Sequence, residues 1–137
     1  MNLTVIPTKY AGHAKEYAST ADLTEYDALV TMSGDGLLHE VLNGVMARAD
    51  WQQVISTKQL GIIPCGSGNG MTKTLGIRDV LVATITVVKG HSAPLDLISL
   101  RQPGAPSLFG HLLAVWGLIA DVDIESEVYV LLWAISL

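Results

Sequence analysis

Apolar residues recur along the chain in two alternating rhythms. Leu37, Leu38, Val41, Leu42, Val45 and Met46 fall three and four positions apart, which predicts an amphipathic helix. Immediately before them, residues 26–32 form a compact apolar run that stops at Ser33-Gly34-Asp35-Gly36. The order is therefore strand, glycine turn, helix. It returns further on: residues 60–64 predict a short strand, Gly66-Ser67-Gly68-Asn69-Gly70 a second turn, and residues 71–75 a helix. Residues 2–6 read as a short strand and residues 12–19 as a helix. Residues 80–88 are apolar and β-branched and fit either state. Asp79 suits a helix N-terminus, and a helix there would supply the next crossover, so a helix is expected. Residues 95–101 and 107–120 read as strands joined by Gln102-Pro103-Gly104-Ala105-Pro106, a turn signal that predicts a hairpin. Strands alternating with helices indicate an α/β domain with a mainly parallel sheet, ending in an antiparallel hairpin.

Composition sharpens this picture. The 137 residues suffice for one domain and one core. Half are hydrophobic and only 15% are charged. Strands buried on both faces would produce that balance, as would a face that awaits another domain. The longest apolar stretch, residues 109–120, falls short of the roughly 20 residues needed to cross a bilayer. It is followed by Asp121, Asp123, Glu125 and Glu127, which hydrocarbon would not accept. The N-terminus has no basic region ahead of an apolar stretch, so no signal peptide is expected and the default location is cytoplasmic. Cys65, the single cysteine, excludes an internal disulfide and is expected to be a buried small residue rather than a nucleophile. A net charge of −5, with eight scattered Lys and Arg residues, argues against a nucleic-acid partner. Any phosphate bound here would rely on backbone N–H groups.

The two glycine turns carry the candidate chemistry. In Ser33-Gly34-Asp35-Gly36 the glycines permit a sharp turn and a close ligand, and the helix behind presents free N–H groups that favour an anion. Asp35 would repel a phosphate unless it binds Mg²⁺ or accepts a proton from a hydroxyl that attacks the phosphate. The plainer reading is an ordinary turn with Asp35 as helix N-cap. Gly66, Ser67, Gly68, Asn69 and Gly70 can form a nest of N–H groups, with Ser67 and Asn69 adding side-chain hydrogen bonds; the plainer reading is a flexible connection. Two such loops at one end of a parallel sheet strengthen the ligand reading. Neither is a Walker A motif or a dinucleotide fingerprint. Glu40 could reach back to the first turn or complement the helix dipole. Asp121 and Asp123, behind an apolar strand, could pair with a cation or simply start a helix. His13, His39, His91 and His111 receive no role.

These stretches together resemble the catalytic domain of sphingosine kinases, within the diacylglycerol kinase-like superfamily. The matching text is DALVTMSGDGLLHEVLNGVMARADW, then LGIIPCGSGNGMTKTLG, PLDLISL and AVWGLIADVDIESEVY. The first two blocks mark the superfamily, and the last points to sphingoid bases rather than diacylglycerol or ceramide. The resemblance implies a diacylglycerol kinase/NAD kinase-like sheet with helices on both faces. It implies Asp35 as the base that activates the primary hydroxyl of sphingosine. Ser33, Gly34 and Gly36, with Gly66, Ser67, Gly68 and Asn69, would meet nucleotide phosphates, Thr8 and Glu40 would lie near the nucleotide, and Asp123 would pair with the lipid ammonium. ATP with Mg²⁺ would be the donor, with transient contact to a membrane surface. The alternatives are a diacylglycerol-type kinase and a non-catalytic module that keeps nucleotide or lipid affinity.

The resemblance also implies that residues 1–137 form a single, incomplete catalytic domain. In the family a strand and a phosphate loop precede the segment matching residue 2, and a C-terminal β-sandwich domain follows; neither has a counterpart here. Where arginines are expected after Tyr129, the chain has Val130-Leu131-Leu132-Trp133-Ala134-Ile135-Ser136, and Leu113 replaces a serine expected near the head group. Little or no turnover is expected of the chain alone.

Overall fold

The computed structural model describes residues 2–118, 120–122, 124 and 125. Helix α1 (His13–Thr20) is followed by strand β1 (Ala28–Ser33), helix α2 (Asp35–Met46), helix α3 (Trp51–Thr57) and strand β2 (Gln59–Pro64). Then come helices α4 (Gly70–Thr74) and α5 (Val80–Val88) and strands β3 (Ile98–Leu100) and β4 (Leu108–Gly110). β1 and β2 pair in parallel, with Val30 beside Gly61 and Thr31 beside Ile62. β3 and β4 form a separate antiparallel pair in which Ser99 lies beside Phe109.

Alternation along the strands distributes the helices. Ile62 packs with Leu38 of α2 and Met71 of α4 in one buried cluster. Its chain neighbour Gly61 points the other way, where a Cβ would meet Val87 of α5 at 3.6 Å. Helices therefore cover both faces of the parallel pair, as expected. A second cluster joins Ala18, Leu23, Val45 and Val54, and Leu29 of β1 packs against it. Leu38, Leu42 and Val45, spaced four and three apart, form the buried stripe of α2 that serves both clusters.

Close contacts lock the neighbours of α2. At Gly44 a Cβ would strike the Lys15 carbonyl oxygen and lie 2.8 Å from the Ala18 side chain, so α1 can approach α2 only because residue 44 is glycine. Arg48 closes the far end of α1: its Nη1 donates to the carbonyls of Ala18 (3.2 Å) and Ala21 (2.8 Å). The same guanidinium grips Asp50 through Nε (2.7 Å) and Nη2 (3.1 Å), and this pairing holds the Asp50 carboxyl below its ordinary range.

Three expectations are corrected. Residues 2–6 form no strand; Leu3 and Val5 stand exposed, because an alternating pattern needs a ladder partner before it becomes a strand. The hairpin strands shrink to three residues each, since only Ile98–Leu100 and Leu108–Gly110 face a partner, and Leu118 is already helical. Cys65 is exposed rather than buried, because it leaves the end of β2 into the second glycine turn. The helix over residues 80–88 forms as expected, with Asp79 Oδ1 accepting from the Val82 N–H at 2.8 Å.

Candidate functional site

Because β1 and β2 run in parallel, both glycine turns leave from the same edge of the sheet. The Cys65 N–H donates to the Ser33 carbonyl at 3.2 Å and carries the pairing into the turns. Beyond it the backbones touch. A Cβ on Gly66 would lie 2.5 Å from both Cα and N of Gly34, and a Cβ on Gly34 would lie 2.7 Å from the Gly68 carbonyl oxygen. Only glycine permits this approach. On the open side, a Cβ at Gly36 or Gly68 would meet nothing within 4 Å. Ser67 and Gly68 are exposed there.

Asp35 joins the two turns. It is the first residue of α2, yet its carboxylate does not cap that helix. Oδ2 accepts from the Gly70 N–H at 2.6 Å and Oδ1 from the Met71 N–H at 3.0 Å, so it caps α4 instead. Gly70 is closely approached at this point: a Cβ there would lie 2.8 Å from Leu112 Cδ2 and 3.3 Å from Asp35 Oδ2. Asn69 shapes the second turn from within. Its Nδ2 donates to the Gly66 carbonyl at 2.6 Å and its Oδ1 accepts from the Gly66 N–H at 3.4 Å.

Glu40 reaches neither turn. Its Oε1 accepts from the Gly12 N–H at 3.0 Å, at the left-handed residue (φ 89°) that starts α1. Its Oε2 is buried without a partner. Thr8 is exposed in the segment leading to Gly12, and Glu40 anchors that segment to α2. Ser33, Gly34, Asp35 and Gly36 are thus brought together with Gly66, Ser67, Gly68 and Asn69, while Thr8 and Glu40 belong to the adjoining junction. Asp123 lies outside the described residues. Among the described residues no three His, Cys, Asp or Glu side chains gather to hold a metal ion.

Residues 1–100 match the family model of the diacylglycerol kinase catalytic domain. The chain belongs to this family. The matched stretch of the diacylglycerol kinase catalytic domain contains both glycine turns, Asp35 and Glu40. The chain is 43% identical over 93% of its length to sphingosine kinase 2 of Arabidopsis thaliana, and 40% identical over 94% to sphingosine kinase 1 of Homo sapiens. It is 36% identical over 92% to sphingoid long chain base kinase 5 of Saccharomyces cerevisiae. It spans 27%, 36% and 19% of the lengths of these relatives.

Two features of this diacylglycerol kinase catalytic domain escape a motif reading. Asn43, buried within α2, behaves as a piece of strand: Nδ2 donates to the Phe109 carbonyl (2.8 Å) and Oδ1 accepts from the Phe109 N–H (2.9 Å). This docks the hairpin on α2 beside the turns. The available signal was an Asn-Gly pair inside a helical pattern, where both residues are poor helix formers. The second is His111, just past β4. Its ring lies 6.2 Å from that of His39, and both its nitrogens are buried without partners. Burial, reinforced by His39 and opposed by Asp35, lowers its pKa.

Proposed function

We propose that the chain is the nucleotide-facing part of an ATP-dependent lipid kinase that phosphorylates the primary hydroxyl of a sphingoid base. The observation that carries this reading is the Asp35 carboxylate, fixed by two backbone N–H groups where two glycine turns meet. The names of the plant, human and yeast relatives, sphingosine kinases and a sphingoid long chain base kinase, support the sphingoid base over a neutral lipid.

The residues present fit a nucleotide. The open glycine backbone at Gly36 and Gly68 leaves room for phosphate oxygens, and the unpartnered Glu40 Oε2 awaits a donor such as a nucleoside hydroxyl. Ser33, Gly34, Gly36, Gly66, Ser67 and Gly68 would hold the phosphates, with Asn69 keeping the second turn in shape, and Thr8 and Glu40 would meet the nucleoside. Mg²⁺ would be held mainly by the phosphates, as that ion commonly is. ATP supplies the transferred phosphoryl group.

Asp35 receives the proton of the lipid hydroxyl. Each of its oxygens accepts one N–H, which fixes the carboxylate plane, and each retains a second lone pair for that hydroxyl. Asp123, at the position the resemblance assigns to it, would pair with the lipid ammonium. The apolar substrate implies transient contact with a membrane surface; among the described residues no helix is long and apolar enough to cross one.

Residues 130–136, which include no arginine, stand where the resemblance places arginines that would neutralise the phosphates, so slow transfer by the 137-residue chain is expected. The test is therefore a single-turnover assay with radiolabelled ATP, comparing sphingosine with diacylglycerol. Label should enter sphingosine, and Asp35→Asn should slow transfer by roughly 10²- to 10⁴-fold, the range of a general base. Label entering diacylglycerol in preference would overturn the substrate assignment. An unaffected Asp35→Asn would overturn the role of the carboxylate.

A further inference from the structure

Three observations place His111 against the reacting end of this site. Its ring lies 6.2 Å from that of His39, which stands one helical turn after Asp35 on the same face of α2. Its neighbour Leu112 and the Asp35 carboxylate press on the same residue, Gly70. Asp35 is also near enough to act on the charge of the imidazole. Yet neither His111 nitrogen has a hydrogen-bond partner, although both are buried.

A buried imidazole with two idle nitrogens is unfavourable unless something completes it. His111 and His39 both line a groove of about 240 Å³ beside the hairpin. Apart from His39 and His111, the side chains lining that groove belong to Leu, Ala and Val. A ligand entering it with a polar head would find its side-chain hydrogen bonds at the two imidazoles, one of them on the helix that Asp35 begins.

We propose that His111 is a substrate-contacting residue, hydrogen-bonding the hydroxyl-bearing head of the lipid whose primary hydroxyl Asp35 deprotonates. This rests on the kinase reading above and deepens it. A neutral imidazole offers one donor and one acceptor, which matches a hydroxyl in both senses. The contact selects for an amphiphile with a hydroxylated head: a hydroxyl can satisfy both nitrogens, whereas an ammonium, which only donates, can satisfy the acceptor nitrogen alone.

The test is binding of two probes to the full chain: a short-chain sphingoid base and an alkylamine of the same chain length without hydroxyls. Wild type should prefer the sphingoid base by about tenfold, the worth of one well-made hydrogen bond in a dry site. His111→Leu should abolish that preference. His111→Gln, which keeps a donor and an acceptor, should retain most of it. In wild type the ¹⁵N resonances of the His111 ring should move further on adding the sphingoid base than on adding the alkylamine, a readout that needs no variant to fold. An undiminished preference in His111→Leu, or unmoved ring resonances at saturation, would overturn the inference and leave the kinase reading standing. Failure of wild type to bind either probe would overturn both.

Discussion

Gly34 and Gly66 meet without space for a single methyl group between them. The contact is backbone on backbone, so no rotamer change can relieve an added Cβ. Gly66→Ala should destabilise the chain by about 2 kcal/mol, read by urea denaturation, and should weaken nucleotide affinity through the displaced turn. A second residue-scale expectation concerns His111, whose folded-state pKa lies below its ordinary 6.5. The unfolded chain then binds the extra proton more readily, so stability should fall as pH drops through about 6.5. His111→Gln should flatten that slope, which denaturation midpoints on either side of this pH will show. The two turns were legible in the sequence because glycines clustered between an apolar run and an amphipathic pattern mark a sharp strand-to-helix turn. What the Asp35 carboxylate does was not legible: it caps α4, a helix that begins 35 residues later, and no local pattern encodes that pairing. Glu40 likewise finds Gly12, 28 positions earlier in the chain.

At the scale of elements, α2 organises its neighbours. It buries one stripe, admits α1 at Gly44 and suspends the hairpin from Asn43. Asn43→Ala removes both bonds to Phe109 and leaves a partly buried N–H and carbonyl unpaired, which should cost about 2–3 kcal/mol. Amide exchange at Phe109 should accelerate, while amides of β1 and β2 keep their protection. The strongly periodic α2 and the two strand-turn-helix units could be read from the sequence because each buries a regular apolar face. Helix α3 could not: of WQQVIST only Val54 is buried, so no periodicity announces it. The hairpin strands were overextended for the opposite reason. Residues 112–115 are apolar enough for a strand, but β3 offers a partner to only three residues.

Across the whole molecule, α5 is seated on β2 through Ala83 and Val87 and leaves the rest of its apolar surface uncovered. Leu81 is 69% exposed and Val88 57%. The high apolar share of the sequence therefore reflects an open face as well as a core. The isolated chain should bind hydrophobic dye and self-associate at micromolar concentration. Replacing Leu81 and Val88 together by lysine should suppress both, measured by dye fluorescence and sedimentation, with little change in the unfolding midpoint. The fused glycine turns have a different long-range consequence. Since neither can thicken without displacing the other, the two segments must vary in lockstep across related chains. A lengthening or a bulkier residue in one should survive only alongside a matching retreat in its neighbour, some thirty positions away in the gene.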